Sequence, residues 1–285
     1  MAKIRLIKRR IKAARHIAQI TRAMEMVAAS KMKKAQEKAL SAKPYAQKIR
    51  EVISLLLSRT AIEEGRYPLL AKTSCGGKIL VVLVSTNKGL CGGLNTVLFR
   101  AVNQWFPDIR ETDFATFGAK GRNFVLRTGR NLVADFSAGN FFEGAGALIN
   151  FIVENYAGEK KYRQVFLVYN DFLNTLRQVP VKETLLPMSE VLGENSEGGA
   201  GDFLIEPGPE EVLNSLLPHY LEVSVRKAFM EAEASEQAAR MMAMKAATDN
   251  ATALMEELTM QYNKERQQII TYEIADIVTA REAIS

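Results

Sequence analysis

A long helical pattern lies near the C-terminus, where residues Ala238 to Tyr262 read AARMMAMKAATDNATALMEELTMQY. Neither glycine nor proline occurs between Pro218 and Ser285. Small or apolar residues recur there in steps of three and four, which predicts the seam of a two-helix coiled coil. Because the seam is rich in Ala and Met, we expect the partner helix to approach closely. The seam positions are Ala238, Met241, Met244, Thr248, Ala251, Met255, Leu258 and Tyr262.

A second helical pattern occupies the N-terminus. Met1 to Leu57 contain no glycine, and Pro44 is their only proline. Apolar residues recur in steps of three and four, which predicts an amphipathic helix. They are Ile4, Ile7, Ile11, Ala14, Ile17, Ile20, Met24 and Val27.

The two ends carry opposite charge. Met1 to Arg50 hold 15 basic residues against Glu25 and Glu37, whereas Pro209 to Ser285 hold 13 acidic residues against 7 basic ones. This complementarity predicts that the end helices lie against each other. If both leave a compact domain at neighbouring points, they run antiparallel, and we expect residues near Ile20 beside residues near Arg240. The C-terminal helix then extends roughly 30 Å past the N-terminus as a single helix.

The middle of the chain alternates between strand and helix patterns, which predicts a parallel-type sheet. Strands are expected at Lys78 to Ser85, Phe114 to Phe117, Leu132 to Phe136 and Arg163 to Asn170, with an edge strand within Thr175 to Leu186. Helices are expected at Gly92 to Trp105, Gly118 to Thr128 and Gly144 to Ala157, and a glycine-rich loop at Glu194 to Asp202. The predicted fold is therefore α/β, with an antiparallel two-helix coiled coil (residues 1–57 and 209–285) and a central Rossmann-like α/β domain (residues 58–208).

One glycine-rich loop offers a chemical reading. Gly89-Leu90-Cys91-Gly92-Gly93 lies between a strand and a helix, where phosphate-binding loops occur. It fits neither common phosphate-binding motif, so we interpret it as a tight turn that lets the helix pack close to its strand. Neither histidine is placed near Cys91, which favours a structural thiol. The chain has no metal-binding motif, and we expect no cofactor and no metal.

The basic N-terminal run invites a nucleic-acid reading, because such patches neutralise phosphates. It lacks interleaved aromatic residues, which favours a solvated or protein-facing surface. No apolar run approaches the length of a bilayer span, so direct membrane insertion is not expected.

Five landmarks resemble one family. Ile20 to Met32 (ITRAMEMVAASKM) look like the N-terminal helix signature of ATP synthase gamma subunits, and Gly89 to Asn95 (GLCGGLN) are similar to the turn in their middle domain. Glu206 to Leu213 (EPGPEEVL) resemble the entry to their C-terminal helix. Residues of Ala234 to Ala251 and Asn263 to Gln267 follow in the family's order.

The resemblance implies a non-catalytic central-stalk subunit. Such a subunit turns inside a hexamer of alpha and beta subunits, contacts an epsilon subunit and the membrane c-ring, and couples proton flow to ATP synthesis or hydrolysis. It also implies a peripheral position at the cytoplasmic face of the cell membrane.

The resemblance further suggests partner-contact residues. By position, Arg266, Gln267, Thr271 and Glu273 look like residues that engage a beta-subunit loop, and Met24 and Arg240 look like residues that face the beta lever. Because the lever of that family is acidic, we expect Lys8, Arg9, Lys12 and Arg15 to form a positive track along it.

Two other functions remain open from the sequence. One is a coiled-coil scaffold or nucleic-acid-binding protein, which a steep salt dependence of binding would reveal. The other is an α/β enzyme that uses the glycine loop, which nucleotide titration of the isolated chain would reveal.

Overall fold

The computed structural model describes residues 2–59, 67–71, 77–137, 141–158, 162–189 and 205–282. The helices are α1 (Ala2–Arg59), α2 (Leu94–Trp105), α3 (Ala119–Arg127), α4 (Phe141–Val153), which a π-helical turn (Glu154–Gly158) continues, and α5 (Pro209–Glu282). The strands are β1 (Lys78–Val84), β2 (Thr112–Phe117), β3 (Asn131–Asp135), β4 (Tyr162–Phe172) and β5 (Gln178–Leu186). The predicted loop at Glu194 to Asp202 lies outside the described residues.

The chain divides into two compact units. The first comprises Met1–Ala29 and Arg240–Ser285, and the second comprises Ser30–Ala239. Both boundaries fall inside the long helices, because Ile53 of α1 and Leu217 of α5 belong to the hydrophobic core of the second unit. The division at residues 57 and 208 stays a prediction.

The second unit contains one five-stranded sheet in the order β3-β2-β1-β4-β5. Strands β1 to β4 are parallel, and β5 is antiparallel to β4. The central strand β1 is buried from Leu80 to Val84, as its continuous apolar run predicts for a strand covered on both faces. The predicted sheet is confirmed, and so is the edge position of its fifth strand.

Two layers cover the sheet. On one face, α2 and α3 pack through Leu98, Val102 and Val125, and the rings of Phe99 and Phe124 stack with centroids 4.3 Å apart. On the other face lie α4 and the sheet-side parts of α1 and α5.

A polar clamp joins four strands where they begin. The carboxylate of Asp113 on β2 accepts hydrogen bonds from Lys78 on β1 (3.0 Å), Asn131 on β3 (2.9 Å) and Tyr162 on β4 (3.3 Å). Burial, together with the charge of Asp113 and the hydrogen bond to it, raises the pKa of Tyr162 to about 12. The hydroxyl therefore remains a donor throughout the physiological pH range.

Candidate interaction surface

The first unit is an antiparallel pair of helices. The Thr21 and Thr248 hydroxyls lie 2.7 Å apart, and the Lys3 ammonium pairs with the Glu265 carboxylate. As the residue number rises by 18 along α1, it falls by 17 along α5, which is the relation of an antiparallel pair in constant register. The predicted direction is confirmed.

The predicted height of the pairing is wrong. Thr21 faces Thr248 rather than a residue near Arg240, a difference of eight residues or about 12 Å along the helix. Placing residues 57 and 209, the inner ends of the two predicted helices, side by side puts Ile20 opposite residue 246, which is close to the observed register.

The seam of α5 agrees with the prediction, since every predicted position is buried or half-buried. The seam of α1 agrees with the prediction at Ile4, Ile7, Ile11, Ala14 and Met24, which are buried or half-buried, and differs from it at three positions. Ile17, Ile20 and Val27, assigned to the apolar face, are 52%, 61% and 56% exposed. After Ala14 the seam continues through smaller side chains that the prediction did not include, namely Ala18, Thr21 and Ala28, each buried or half-buried.

A preference for large apolar residues explains this error. The α1 sequence carries two apolar rows in different phases, and the row of smaller residues faces α5. Small side chains allow two helix axes to come closer than isoleucine does. Ile17, Ile20 and Val27 therefore form an exposed apolar row on α1, of the kind that marks protein contact surfaces.

The end of α5 has no helix beside it among the described residues. Lys3, at the second residue of α1, already faces Glu265, and every residue from Ile270 to Arg281 is exposed. Ile270, Ile274 and Ile277 follow one another in steps of four and three, so they share one face. We refer to these three residues as the tip row.

The basic residues of α1 also share a face. Lys8, Lys12 and Arg15 occur in steps of four and three, Arg9 lies next to them, and all four are exposed. Ile7 and Ala14 on the same turns are buried in the seam. The surface is therefore available to a partner, and its charge favours an acidic one.

The other predicted contact residues fall into two groups. Arg266, Gln267, Thr271 and Glu273 are exposed on adjoining turns beside the tip row, and the Thr271 hydroxyl donates to the Gln267 carbonyl oxygen (2.9 Å). Met24 and Arg240 are only half-buried. With Thr21 facing Thr248, Met24 lies at the height of residue 245, so the structure does not bring Met24 level with Arg240.

The glycine-rich loop is closed on itself. The Asn95 side-chain amide donates to the Thr86 hydroxyl (2.7 Å), which donates to the Lys88 carbonyl oxygen (2.9 Å). Gly92 has a φ of 58°, a conformation that glycine adopts without strain. A Cβ atom on Gly89 or Gly93 would meet nothing within 4 Å. The turn is confirmed, but close packing is not what these two glycines provide.

Close packing occurs at the next helix instead. A Cβ atom on Gly118 would lie 2.1 Å from the Ser85 carbonyl oxygen. The amide of Gly121 donates to the Ser85 hydroxyl (2.7 Å), and that of Ala119 donates to the Asn87 side chain (2.9 Å). Amides that could bind a phosphate at the start of α3 are therefore already bonded within the chain.

Across the described ranges, no group of three or more His, Cys, Asp or Glu side chains is placed to hold a metal ion. The described helices also include none that is long and apolar enough to cross a membrane.

Comparison with known proteins gives the family. A family model described as ATP synthase matches residues 3–284. A gamma chain of ATP synthase from Dehalococcoides mccartyi is 42% identical over 290 residues, and one from Chloroflexus aurantiacus is 38% identical over 291 residues. Both alignments cover 100% of each chain. The chain belongs to the ATP synthase gamma-chain family.

Solved structures agree with this assignment. A chain of the central stalk and c-ring of Tetrahymena thermophila mitochondrial ATP synthase is 28% identical, with a TM-score of 0.58. The match covers 80% of this chain and 99% of that one. A chain from the Euglena gracilis mitochondrial enzyme shares the fold with a TM-score of 0.68 at 22% identity, over 99% of this chain and 95% of that one.

Membership of the gamma-chain family bears on the exposed apolar rows of the first unit, because a central-stalk subunit acts through contacts that its surface makes. The sequence contained both apolar rows. The sequence analysis identified Ile17, Ile20 and Val27 but assigned them to the seam. It missed the tip row, although the spacing of four and three residues is present in the sequence. The sequence analysis predicted a projecting end of α5 but did not single out the apolar residues on it.

Proposed function

We propose that the chain is the rotating shaft of an F-type ATP synthase and holds no catalytic site of its own. In this role it turns inside a hexamer of alpha and beta subunits. It contacts an epsilon subunit and the membrane c-ring, and it couples proton flow to ATP synthesis or hydrolysis from a peripheral position at the cytoplasmic face of the membrane. Membership of the gamma-chain family supports the proposal.

The observation that carries the proposal is the exposed end of α5, where apolar and charged residues are uncovered over Ile270 to Arg281. A helix end with an uncovered apolar row is unfavourable in water and suits a surrounding protein surface. We assign Arg266, Gln267, Thr271 and Glu273 to contacts with a beta-subunit loop at this end. Met24 and Arg240 are assigned to contacts with the beta lever.

The absence of catalysis is supported by the loop chemistry. The loop from Gly89 to Gly93 has no lysine followed by Ser or Thr, the pair that a P-loop uses for phosphate and magnesium. On either side of the loop, the Asn95 side-chain amide donates to the Thr86 hydroxyl and so joins the two ends of the loop.

The test is co-expression with the alpha and beta subunits of the same organism. We expect the three to elute together and a probe fixed to this chain to rotate when ATP is added, whereas the isolated chain does not hydrolyse ATP. If the chain elutes without the alpha and beta subunits and binds ATP with micromolar affinity that is lost on changing Gly92, the enzyme alternative is favoured. Steeply salt-dependent binding of nucleic acid would favour the alternative of a nucleic-acid-binding coiled-coil protein.

The basic track has its own test. Replacing Lys8, Arg9, Lys12 and Arg15 together by Glu should lower ATP-driven proton pumping while the subunit still folds and assembles. Each exposed contact contributes at most about 1 kcal/mol and weakens with salt, so single alanine replacements should do little. Normal coupling of the fourfold variant at low salt would show that these four residues form no such track, and it would leave the proposal of a rotating shaft unaffected.

A further inference from the structure

A buried cluster of ionisable side chains joins α5 to the sheet within the second unit. Tyr169 on β4 is 2% exposed and Glu231 on α5 is 8% exposed. The Tyr169 hydroxyl oxygen lies 2.9 Å from Oε2 of Glu231 and 3.1 Å from Oε2 of Glu183 on β5. Asp171 on β4 and Lys227 on α5 are the other charged groups that act on this cluster.

If both carboxyl groups are ionised, the cluster has too few hydrogen atoms to form both hydrogen bonds between the Tyr169 hydroxyl and the two carboxyl groups. A tyrosine hydroxyl has one hydrogen to donate, and an ionised carboxylate can only accept. Tyr169 can therefore satisfy one of its two carboxylate neighbours. The second would bring its lone pairs against those of the hydroxyl oxygen in a buried site, where an unsatisfied charge is costly. One more proton removes the conflict.

We propose that the cluster binds one proton at neutral pH and that this proton holds α5 against the sheet through hydrogen bonds. We refer to the protonated cluster of Glu231, Tyr169 and Glu183 as the clasp. The Glu231 carboxyl carries it and donates to the Tyr169 hydroxyl oxygen, and the hydroxyl in turn donates to the Glu183 carboxylate. Glu231 is the holder because it is buried, whereas Glu183 is half-buried and retains access to water.

The electrostatic environment agrees with this assignment. Burial raises the pKa of Glu231; the charge of Lys227 and the Tyr169 hydrogen bond oppose the rise, and the charges of Asp171 and Glu183 add to it. Burial and the neighbouring carboxylates also raise the pKa of Tyr169, so that its hydroxyl keeps its own hydrogen. The clasp thus gains its extra proton at the carboxyl and not at the phenol.

The proton couples to stability with a definite sign. The folded chain has the higher pKa at Glu231, so it binds more protons than the unfolded chain at pH values between the two pKa values. The contribution is complete below the unfolded pKa of about 4.5 and is lost as the pH rises through the folded pKa. Ionisation of Glu231 should loosen α5 on β4 and β5.

The first test is infrared spectroscopy of the full chain at neutral pH. A buried protonated carboxyl group gives a C=O stretching band distinct from that of carboxylates. We expect this band in the native chain, its loss in Glu231→Gln, and its retention in the control Glu222→Gln, which changes a more exposed glutamate of the same helix. Absence of the band from the folded native chain would overturn the proposal.

The second test is urea unfolding of the full chain from about pH 5 to pH 8, a range that lies above the ordinary pKa of glutamate. The native chain should lose stability as the pH rises, and Glu231→Gln should lack that part of the dependence because its amide donates to Tyr169 at every pH. A Glu231→Gln chain with the native pH profile would contradict the clasp.

If Glu231→Gln does not fold, Glu183→Gln serves instead. It removes the neighbouring charge that raises the pKa of Glu231. The carboxyl band of Glu231 should then disappear at a lower pH than in the native chain. An unchanged titration of that band would also contradict the proposal.

Discussion

The hydroxyl of Thr21 and the hydroxyl of Thr248 meet 2.7 Å apart between the two helices of the first unit. Each hydroxyl oxygen also lies near a backbone carbonyl oxygen one turn earlier on its own helix, that of Ile17 for Thr21 (3.0 Å) and that of Met244 for Thr248 (2.9 Å). Because each hydroxyl has one hydrogen, one donates across the seam and the other donates to its carbonyl oxygen. A polar contact inside a coiled-coil seam favours one register over its alternatives, because a shifted register separates the two groups. This contact therefore sets the height at which α1 and α5 meet.

Crosslinking tests this register. Cysteines introduced by Thr21→Cys and Thr248→Cys should form a disulfide under mild oxidation, since the two side chains face each other in the seam. The matched control pairs Thr21→Cys with Arg240→Cys, whose positions differ in height by about 12 Å and should stay reduced. Faster oxidation of the control pair would show that the register described here is wrong. Electrophoresis without reductant detects the disulfide, and peptide mapping then identifies the two cysteines that it joins.

Gly118 should tolerate no side chain. Its φ of 108° disfavours other residues, and an added Cβ atom would lie 2.1 Å from the Ser85 carbonyl oxygen. Because backbone must move on one side or the other, Gly118→Ala should cost more than about 3 kcal/mol of unfolding free energy or prevent folding.

Gly93→Ala is the control for this change. Its added Cβ atom meets nothing within 4 Å and its φ is −86°, so stability should change by less than about 0.5 kcal/mol. Urea unfolding and soluble yield measure both variants. Equal effects of the two substitutions would mean that the contact with Ser85 is unimportant.

Asp113 should matter more than a surface charge. Asp113→Ala leaves the buried Tyr162 hydroxyl without its acceptor and also removes the partner of the exposed Asn131 amide, and we expect a loss of about 2–4 kcal/mol. Glu111→Ala, which removes the exposed ion pair with Arg163, should cost no more than about 1 kcal/mol. Denaturant unfolding of both variants decides; similar losses would rule out the clamp as a source of stability.

The tip row should serve assembly rather than folding. Ile274→Asp combined with Ile277→Asp changes only exposed side chains, so the melting temperature of the isolated chain should stay within a few degrees of the native value. Co-elution with alpha and beta subunits should weaken, because charges would enter an apolar contact.

Asp276→Asn provides the control, since it changes a charge on the same turns without altering the tip row or the residues assigned to the beta-subunit loop. Undiminished assembly of the double aspartate variant would mean that the row contacts no partner. A large drop in melting temperature would point instead to a contact within the chain.

The sheet could be predicted from the sequence because its signals are local. Strand β1 is a continuous apolar run, and the glycines at 118 and 129 punctuate α3 on both sides. The helix pair was predictable as a pair, since breakers are absent and the charges of the two ends are opposite. Its direction followed from chain connectivity, given a compact middle domain.

The facing surfaces of the helix pair could not be predicted in the same way. Two apolar rows compete on α1, and composition favours the one with Ile17 and Ile20, whereas the closer approach of small residues favours the one with Ala18 and Thr21. The choice depends on the shape of the opposite helix. For the same reason the exposed rows could be assigned to a surface only after the seam was known.

The clamp at Asp113 also bears on the order of folding events. Its partners come from positions 78, 131 and 162, so the last of them arrives only after a segment of roughly 50 residues has closed between β2 and β4, at a cost in conformational entropy that rises with loop length. The β4–β5 hairpin, by contrast, joins neighbouring segments through a short turn. Interactions completed after the rate-limiting step retard unfolding and leave the folding rate almost untouched. We therefore expect the clamp to form late in folding, so that Asp113→Ala raises the unfolding rate and leaves the folding rate almost unchanged.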